Sequence, residues 1–481
     1  MSRKSIYLLT LTLFILAGTA FRSPALWAAS QPHLAAEYYA APYGSPGNDG
    51  SFDHPWDLAT ALAQPAIVLP GDTIWLHAGH YAGPFTSYLT GEAAAPIVVR
   101  AMPGARAALD GGTAFASTLQ VNGAYAWFWG FEVTRSDPDR QTDISGSSPP
   151  DLSRGASNGV NVFGHHVRLI NLIVHDDGEG FGFWKPAVDS EIYGSLAYNN
   201  GWLGPDRAHG HAIYTQNLDG TKRIYDNILF NQFSYGIHAY TEGGSIQGFD
   251  IAGNLWFNNG IIAGGEDTLK DNCLIGGLQP AARITLHDNA GWAHSDTERS
   301  VRLGYSDPNN VDVTLLDNYF VGTTVFARPW QSITMTGNTF YSEVSGNINP
   351  ADYPDNTYLT ARPSGAKIIL RPNLYEPGRA NLAIYNWDLA ASVAVDVSAV
   401  LTPGMPFELR NAQDFYGDPV LEGIYSGGQL IVPMQAWPAA APLGFPISIS
   451  PTGPEFNVFV LLSEPLVEAD QVIYLPILRR E

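Results

Sequence analysis

His238 and Tyr240 stand two apart in the run Ile237-His238-Ala239-Tyr240-Thr241-Glu242, so in a strand both project to one side. Neighbouring runs read Phe181-Gly182-Phe183-Trp184, His211-Ala212-Ile213-Tyr214-Thr215-Gln216 and Val301-Arg302-Leu303-Gly304. Imidazole exchanges protons near neutral pH, whereas a phenol stays protonated there and serves as a donor. Setting the runs side by side with Tyr214 on Tyr240 produces three outward columns. The first holds Asn161, Gly182, Ala212, His238, Ile262 and Arg302; the second Phe163, Trp184, Tyr214, Tyr240, Gly264 and Gly304; the third Gln216, Glu242, Glu266 and Ser306. The second column passes from aromatics, which stack on sugar rings, to two glycines that leave a floor.

Cleaving a uronate polymer by elimination takes a cation for the carboxylate, a base for the C5 proton and an acid for the departing oxygen. Arg302 or Lys185 suits the first role, His238 the second and Tyr240 the third, with Tyr214 and His211 beside them. Strict alternation points His211 inward, as a core residue. Trp184, Lys185, Arg207, His209, Glu242 and Glu266 are the expected substrate contacts. A uronate C5-epimerase needs the same groups. A hydrolase would instead pair carboxylates, drawn from Glu242, Glu266, Asp267 and Asp177. The run His175-Asp176-Asp177-Gly178-Glu179 has the composition of a Ca²⁺ loop or of an acid/base pair, though an isolated acidic turn is ordinarily solvated. Ca²⁺ is the one cofactor such carboxylates would suit, and no motif requires another. Signatures of zinc peptidases, α/β-hydrolases and nucleotide-binding loops do not occur.

What would hold these side chains in columns is a repeat. The unit apolar-x-x-Asn/Ser-apolar-apolar-apolar-Asn recurs as Ile192 to Asn199, Ile224 to Asn231 and Ile251 to Asn258, with looser copies around Asn171, Asn289, Asn318 and Asn338. Strands of three to five residues with β-branched and aromatic apolar positions, cornered by Asn and Gly, predict an all-β solenoid whose coils lie about 4.8 Å apart. Asn stacked on Asn would pass amide hydrogen bonds up the stack.

The opening segment carries Glu37-Tyr38-Tyr39, Tyr43-Gly44-Ser45-Pro46-Gly47-Asn48-Asp49-Gly50, His54-Pro55-Trp56 and Pro70-Gly71-Asp72-Thr73; Ala95-Pro96-Ile97-Val98-Val99-Arg100 and Leu109-Asp110-Gly111-Gly112 continue it. This pattern resembles secreted right-handed parallel β-helix proteins of the pectate-lyase-like superfamily over about residues 36 to 345. The resemblance implies a capping helix from Asp57 to Ala63 and a pectin-lyase-like β-helix. It does not choose a reaction, because lyases, hydrolases, epimerases and non-catalytic proteins share the scaffold. The expectation is a polysaccharide lyase for an acidic glycan. A glycoside hydrolase, an epimerase and a non-catalytic glycan-binding or surface-adhesion protein stand as alternatives.

The expected organisation is a signal peptide at 1–30, the β-helix over 31–350, a β-sandwich over 356–463 and a tail at 464–481. Arg3 and Lys4, an apolar run of about a dozen residues and the small residues Ala25, Ala28, Ala29 and Ser30 read as the signal peptide, which places the chain outside the cell or on its surface. The apolar runs at both ends are shorter than the roughly 20 residues that span a bilayer. A formal net charge of −21 argues against nucleic acid as a partner, while a local Arg, Lys and His cluster can still hold a uronate. Cys273, the single cysteine, has no disulfide partner within the chain and reads as a small core residue; a monomer is expected.

Overall fold

Strands of three or four residues cannot bury a face alone, so each coil must be covered by the next. In the computed structural model, which describes residues 34–263, 271–294 and 298–463, three parallel sheets of eleven, eleven and ten strands wind around a common core. Each coil visits the sheets in order, as in Thr73–Leu76 (first), Gly79–Ala82 (second) and Phe85–Ser87 (third). The chain is a parallel β-helix. Leu58–Leu62 forms the capping helix, with Asp57 as N-cap accepting from the Thr60 backbone N–H. The expected signal segment and C-terminal tail lie outside the described residues, and no described helix is long and apolar enough to cross a membrane.

Inward residues such as Val160, Phe181, Ile213, Ile237, Cys273 and Val301 stack into one continuous core. Cys273 is fully buried there. At the corner between the first and second sheets the asparagines form a ladder. Asn227 Nδ2 donates to Asn254 Oδ1 (2.9 Å), Asn254 to Asn289 (3.0 Å), Asn289 to Asn318 (2.9 Å), Asn318 to Asn338 (2.8 Å) and Asn338 to Asn356 (2.7 Å). The left-handed turn is made by the residue before each of the first five rungs: Asp226, Gly253, Asp288, Asp317 and Gly337 all have φ between 53° and 72°. Asn171 occupies this left-handed position, and its amide leaves the ladder for Glu376 (2.7 Å).

Solenoid pairing continues to Thr357–Leu359, past residue 350, and Ala366–Pro372 is the first strand of the sandwich, not a segment near 356. A five-stranded antiparallel sheet and the two-stranded antiparallel sheet of Ser392–Asp396 and Gln429–Pro433 enclose a second core. The other face of the five-stranded sheet packs on the second sheet of the solenoid. Phe456 lies 5.2 Å from Trp292 and 5.3 Å from Phe257, and Tyr385 donates to the Gly291 carbonyl (3.0 Å). Ala380–Asn386 and Phe456–Leu462 are therefore buried throughout.

Candidate active site

The third sheet carries the site. Its pairing sets Gly182 beside Tyr214, Tyr214 beside His238, His238 beside Leu274 and Leu274 beside Arg302. The expected register, with Tyr214 on Tyr240 and Ala212 on His238, is thus two residues out. Sliding a strand by two keeps every inward residue inward, so alternation cannot detect the error. The rung expected from Ile261 to Glu266 is supplied by Cys273–Ile275 instead. Ile262 is buried against Ala208 and Phe233, outside the sheet; Gly264, Gly265, Glu266 and Asp267 lie outside the described residues. The position after Ile275 is Gly276, so the glycine floor beyond Tyr240 is made by Gly276 and Gly304.

A cleft of about 680 Å³ opens on this face. Its aromatic wall is continuous. Phe163 stacks on Trp184 (6.4 Å), Trp184 meets Tyr214 edge-on (5.4 Å), Tyr214 reaches His238 (5.3 Å), His238 stacks on Tyr240 (4.9 Å) and Tyr240 meets Tyr305 edge-on (5.3 Å). Trp184 is fixed by its indole N–H to Asn161, which also accepts from Asn158 (2.8 Å).

His211 does not point into the core. It lies on the cleft with His211 Nε2 and His238 Nδ1 2.9 Å apart, while the Tyr235 backbone N–H donates to His211 Nδ1 at 3.1 Å. The second contact fixes the tautomers: His211 carries its proton on Nε2 and gives it to His238 Nδ1, so His238 carries its own proton on Nε2. A second proton on His238 Nδ1 would collide with that donor. In this geometry His238 presents an N–H and is a donor, not the base expected for it.

A titratable carboxyl group, Glu179, contacts His211. Its carboxylate accepts the His211 backbone N–H (2.8 Å), but burial outweighs that bond and pushes its pKa up to about 8. Sequence reasoning placed Glu179 in an acidic turn and missed its part in the cleft; the available signal was Gly178-Glu179-Gly180 leading directly into an apolar strand. Burial also lifts the tyrosines, Tyr214 to about 12 with help from nearby Glu179, and Tyr240 upward with help from Glu242. Both remain donors at neutral pH.

His209 lines the cleft from the hairpin Trp202–Leu203/Ala208–His209, stacked 3.8 Å above Trp202. Gly201 and Gly210 pinch the base of this hairpin: a Cβ on Gly210 would come within 2.1 Å of the Gly201 Cα, so only glycine fits. Arg207 also lines the cleft and pairs with Asp206 (2.9 Å) and Ser147 (3.0 Å); Glu242 is exposed at the rim. Lys185 is exposed and lies outside the lining. Arg302 sits two rungs from His238, 3.7 Å from Asp271 and 4.8 Å above the Tyr305 ring, and is likewise outside it.

The acidic turn before Glu179 is not solvated. Asp176 is held by Arg140, Asp177 by Arg135 (3.3 Å), and His175 bridges Asp176 (2.7 Å) and Glu132 (2.9 Å). Among the described residues no group of three or more His, Cys, Asp and Glu is arranged to hold a metal ion. Burial alone would depress His175, but hydrogen bonds to Asp176 and Glu132 outweigh it and lift the pKa to about 9. A raised folded-state value stabilises the fold fully below the unfolded pKa near 6.5 and is lost as pH rises through about 9. Thermal denaturation should therefore show the midpoint falling between those values, and His175→Gln should flatten that fall. An equal slope in the variant would remove His175 as its cause.

No protein-family model matches this chain, and no curated protein matches it in sequence. Solved structures do. A pectate lyase is 20% identical, with 63% of this chain and 77% of that one covered at a TM-score of 0.43. A rhamnogalacturonan lyase is 18% identical over 60% and 75% (TM-score 0.47), and an alginate lyase from Paenibacillus sp. 17% identical over 68% and 96% (TM-score 0.42). The likeness is one of fold.

Proposed function

We propose that this chain is a polysaccharide lyase acting on a uronate-containing glycan in the third-sheet cleft. The observation that carries the reading is the placing of Glu179, a carboxyl group whose pKa burial pushes up to about 8, in the same aromatic cleft as a histidine held as a donor. A general base works best when its pKa lies near the operating pH. In the proposed step His238 Nε2–H, with Arg207, holds the uronate carboxylate, and ionised Glu179 takes the C5 proton. The C5–H electron pair becomes the C4=C5 double bond, the C4–O bond breaks, and the departing oxygen takes the hydroxyl proton of Tyr240. Trp184 and Tyr214 supply stacking surface for sugar rings. Arg302, engaged by Asp271, shapes the far end through Tyr305. The order of basic, apolar and small residues over 1–30 supports action outside the cell.

Glu242 at the rim of the same cleft favours a second reading, hydrolysis with protonated Glu179 as general acid. The two differ in the sign of their pH dependence. For the lyase, kcat/KM on a uronate polymer rises with pH through about 8 and the product absorbs as an unsaturated uronate. For the hydrolase, kcat/KM falls through the same pH and only reducing ends appear. Tyr240→Phe should lower lyase turnover by about 10²- to 10⁴-fold. A panel of acidic polysaccharides left uncut at every pH would overturn both.

A further inference from the structure

The hairpin that brings Arg207 and His209 to the cleft has strands of two residues each, too short to hold a ribbon in place by themselves. Part of what packs on it comes from the sandwich. Residues 434–455 connect Gln429–Pro433 to Phe456–Leu462, and on the way they leave the sandwich to reach this hairpin. There Phe445, Ile447 and Ile449 are half-buried and alternate with exposed Pro446, Ser448 and Ser450, so an extended chain turns one edge inward. That edge packs with Leu203 and Ala208 of the hairpin and with Phe233.

Just before this edge, Leu443 exposes its side chain and uses its backbone. Its N–H donates to Asp176 Oδ1 (2.8 Å) and its carbonyl accepts from Arg140 Nε (2.8 Å), so the connection is tied to both members of that buried ion pair. Arg140 in turn donates to the Asn199 and Gly201 carbonyls (2.9 and 2.7 Å) at the base of the hairpin. Phe233 carries the support into the cleft. Its ring is fully buried, 5.1 Å from Phe445 and 5.2 Å from the Arg140 guanidinium. Phe233, Ser234 and Tyr235 then donate their backbone N–H groups in turn to the Asn200 carbonyl (3.0 Å), the Gly210 carbonyl (3.0 Å) and His211 Nδ1 (3.1 Å). The last of these is the bond that sets the tautomers of His211 and His238.

We propose that the connection 434–455 is a positioning element of the third-sheet cleft, with Phe445 as its positioning residue: by bracing Phe233 and the hairpin it holds His211, His238, His209 and Arg207 in their places. The sandwich is then a working part of the site. The proposal rests on the reading of this cleft as the place of action, and not on which reaction occurs there. Its test therefore reads the imidazoles directly, by NMR of the full chain isotope-labelled at histidine, with signals assigned through His209→Gln, His211→Gln and His238→Gln.

Phe445→Ala is expected to shift the signals of all three histidines, and Phe445→Leu to restore most of the change. Gly444→Ala should reproduce the shift with Phe445 intact, because Gly444 has φ 72° and a Cβ there would come within 1.8 Å of the Pro138 carbonyl oxygen, forcing the chain off its seat. Thermal midpoints report whether each variant folds, and Gly444→Ala carries the test if Phe445→Ala does not. Leu401→Ala removes packing in the second core, outside the cluster of Phe233 and Phe445, and should lower the midpoint without moving the signals. On a uronate polymer that the parent cuts, Phe445→Ala should raise KM by about fivefold or more, as Arg207 is displaced. Signals unmoved in folded Phe445→Ala or Gly444→Ala, signals moved as much by Leu401→Ala, or moved signals with kcat and KM both unchanged would each overturn the proposal. A parent that cuts no polysaccharide would overturn the reading of the reaction instead, and the spectra alone would then decide the positioning.

Discussion

Glu179→Gln is expected to lower turnover on a uronate polymer by about 10²- to 10⁴-fold while making the protein more heat-stable above neutral pH. Both effects have one origin. The carboxyl is raised to about 8 because burial disfavours its charge, which the single His211 backbone N–H does not offset. Raised above its unfolded value near 4.5, the group favours folding fully below that pH and loses the contribution as pH climbs through about 8. Glutamine keeps the shape and the acceptor oxygen but never charges. The variant's thermal midpoint should therefore match the parent's near pH 4.5 and exceed it near pH 8.5, by about 1–3 °C for a chain of this size. Retained turnover would take Glu179 out of the chemistry. Midpoints that fail to diverge with pH would mean that its carboxylate is solvated, and the pKa argument would fall with it.

The second large effect is structural. Asn254 occupies a middle rung: its Nδ2 donates to the Ile224 carbonyl (2.7 Å) and to Asn289 Oδ1 (3.0 Å), and its Oδ1 accepts from the Asn227 backbone N–H (3.0 Å) and side chain (2.9 Å). Removing that amide strands buried polar groups at about 1–3 kcal/mol each, so Asn254→Ala should cost about 3–5 kcal/mol. Asn356→Ala, at the partly exposed last rung, should cost about 1 kcal/mol, since water can replace what is lost. Denaturant unfolding followed by circular dichroism would separate them, each transition being fitted coil by coil as repeat architectures require. Equal costs at the two rungs would show that the ladder does not act as a buried network.

The same asparagines were the clearest feature of the sequence. A short unit repeated around Asn199, Asn227, Asn231 and Asn254 specifies a solenoid, because coil-to-coil stacking is the only way such short strands bury their faces. The antiparallel strands after Asn356 were legible from alternation interrupted by Pro and Gly, and the helix at Leu58–Leu62 from the family resemblance of the opening segment. His238, Tyr240, Tyr214 and Trp184 were placed on one face by alternation alone, and they share one cleft.

Alternation has a period of two, so which outward residue lies beside which was beyond its reach. Tyr214 pairs with His238 because coil length is set by long loops, and a loop carries no periodic signal. The strand Cys273–Ile275 was hidden by the same ambiguity, since Ile261-Ile262-Ala263 is an equally apolar run seen in isolation. The proton positions on His211 and His238 depend on the backbone N–H of Tyr235, supplied by a neighbouring coil. Burial of Glu179 depends on His211 being laid over it. The sequence by itself determined which side chains face outward and that the coils stack. Only the tertiary structure decided their register and protonation, because desolvation and hydrogen bonding are properties of what surrounds a residue in space.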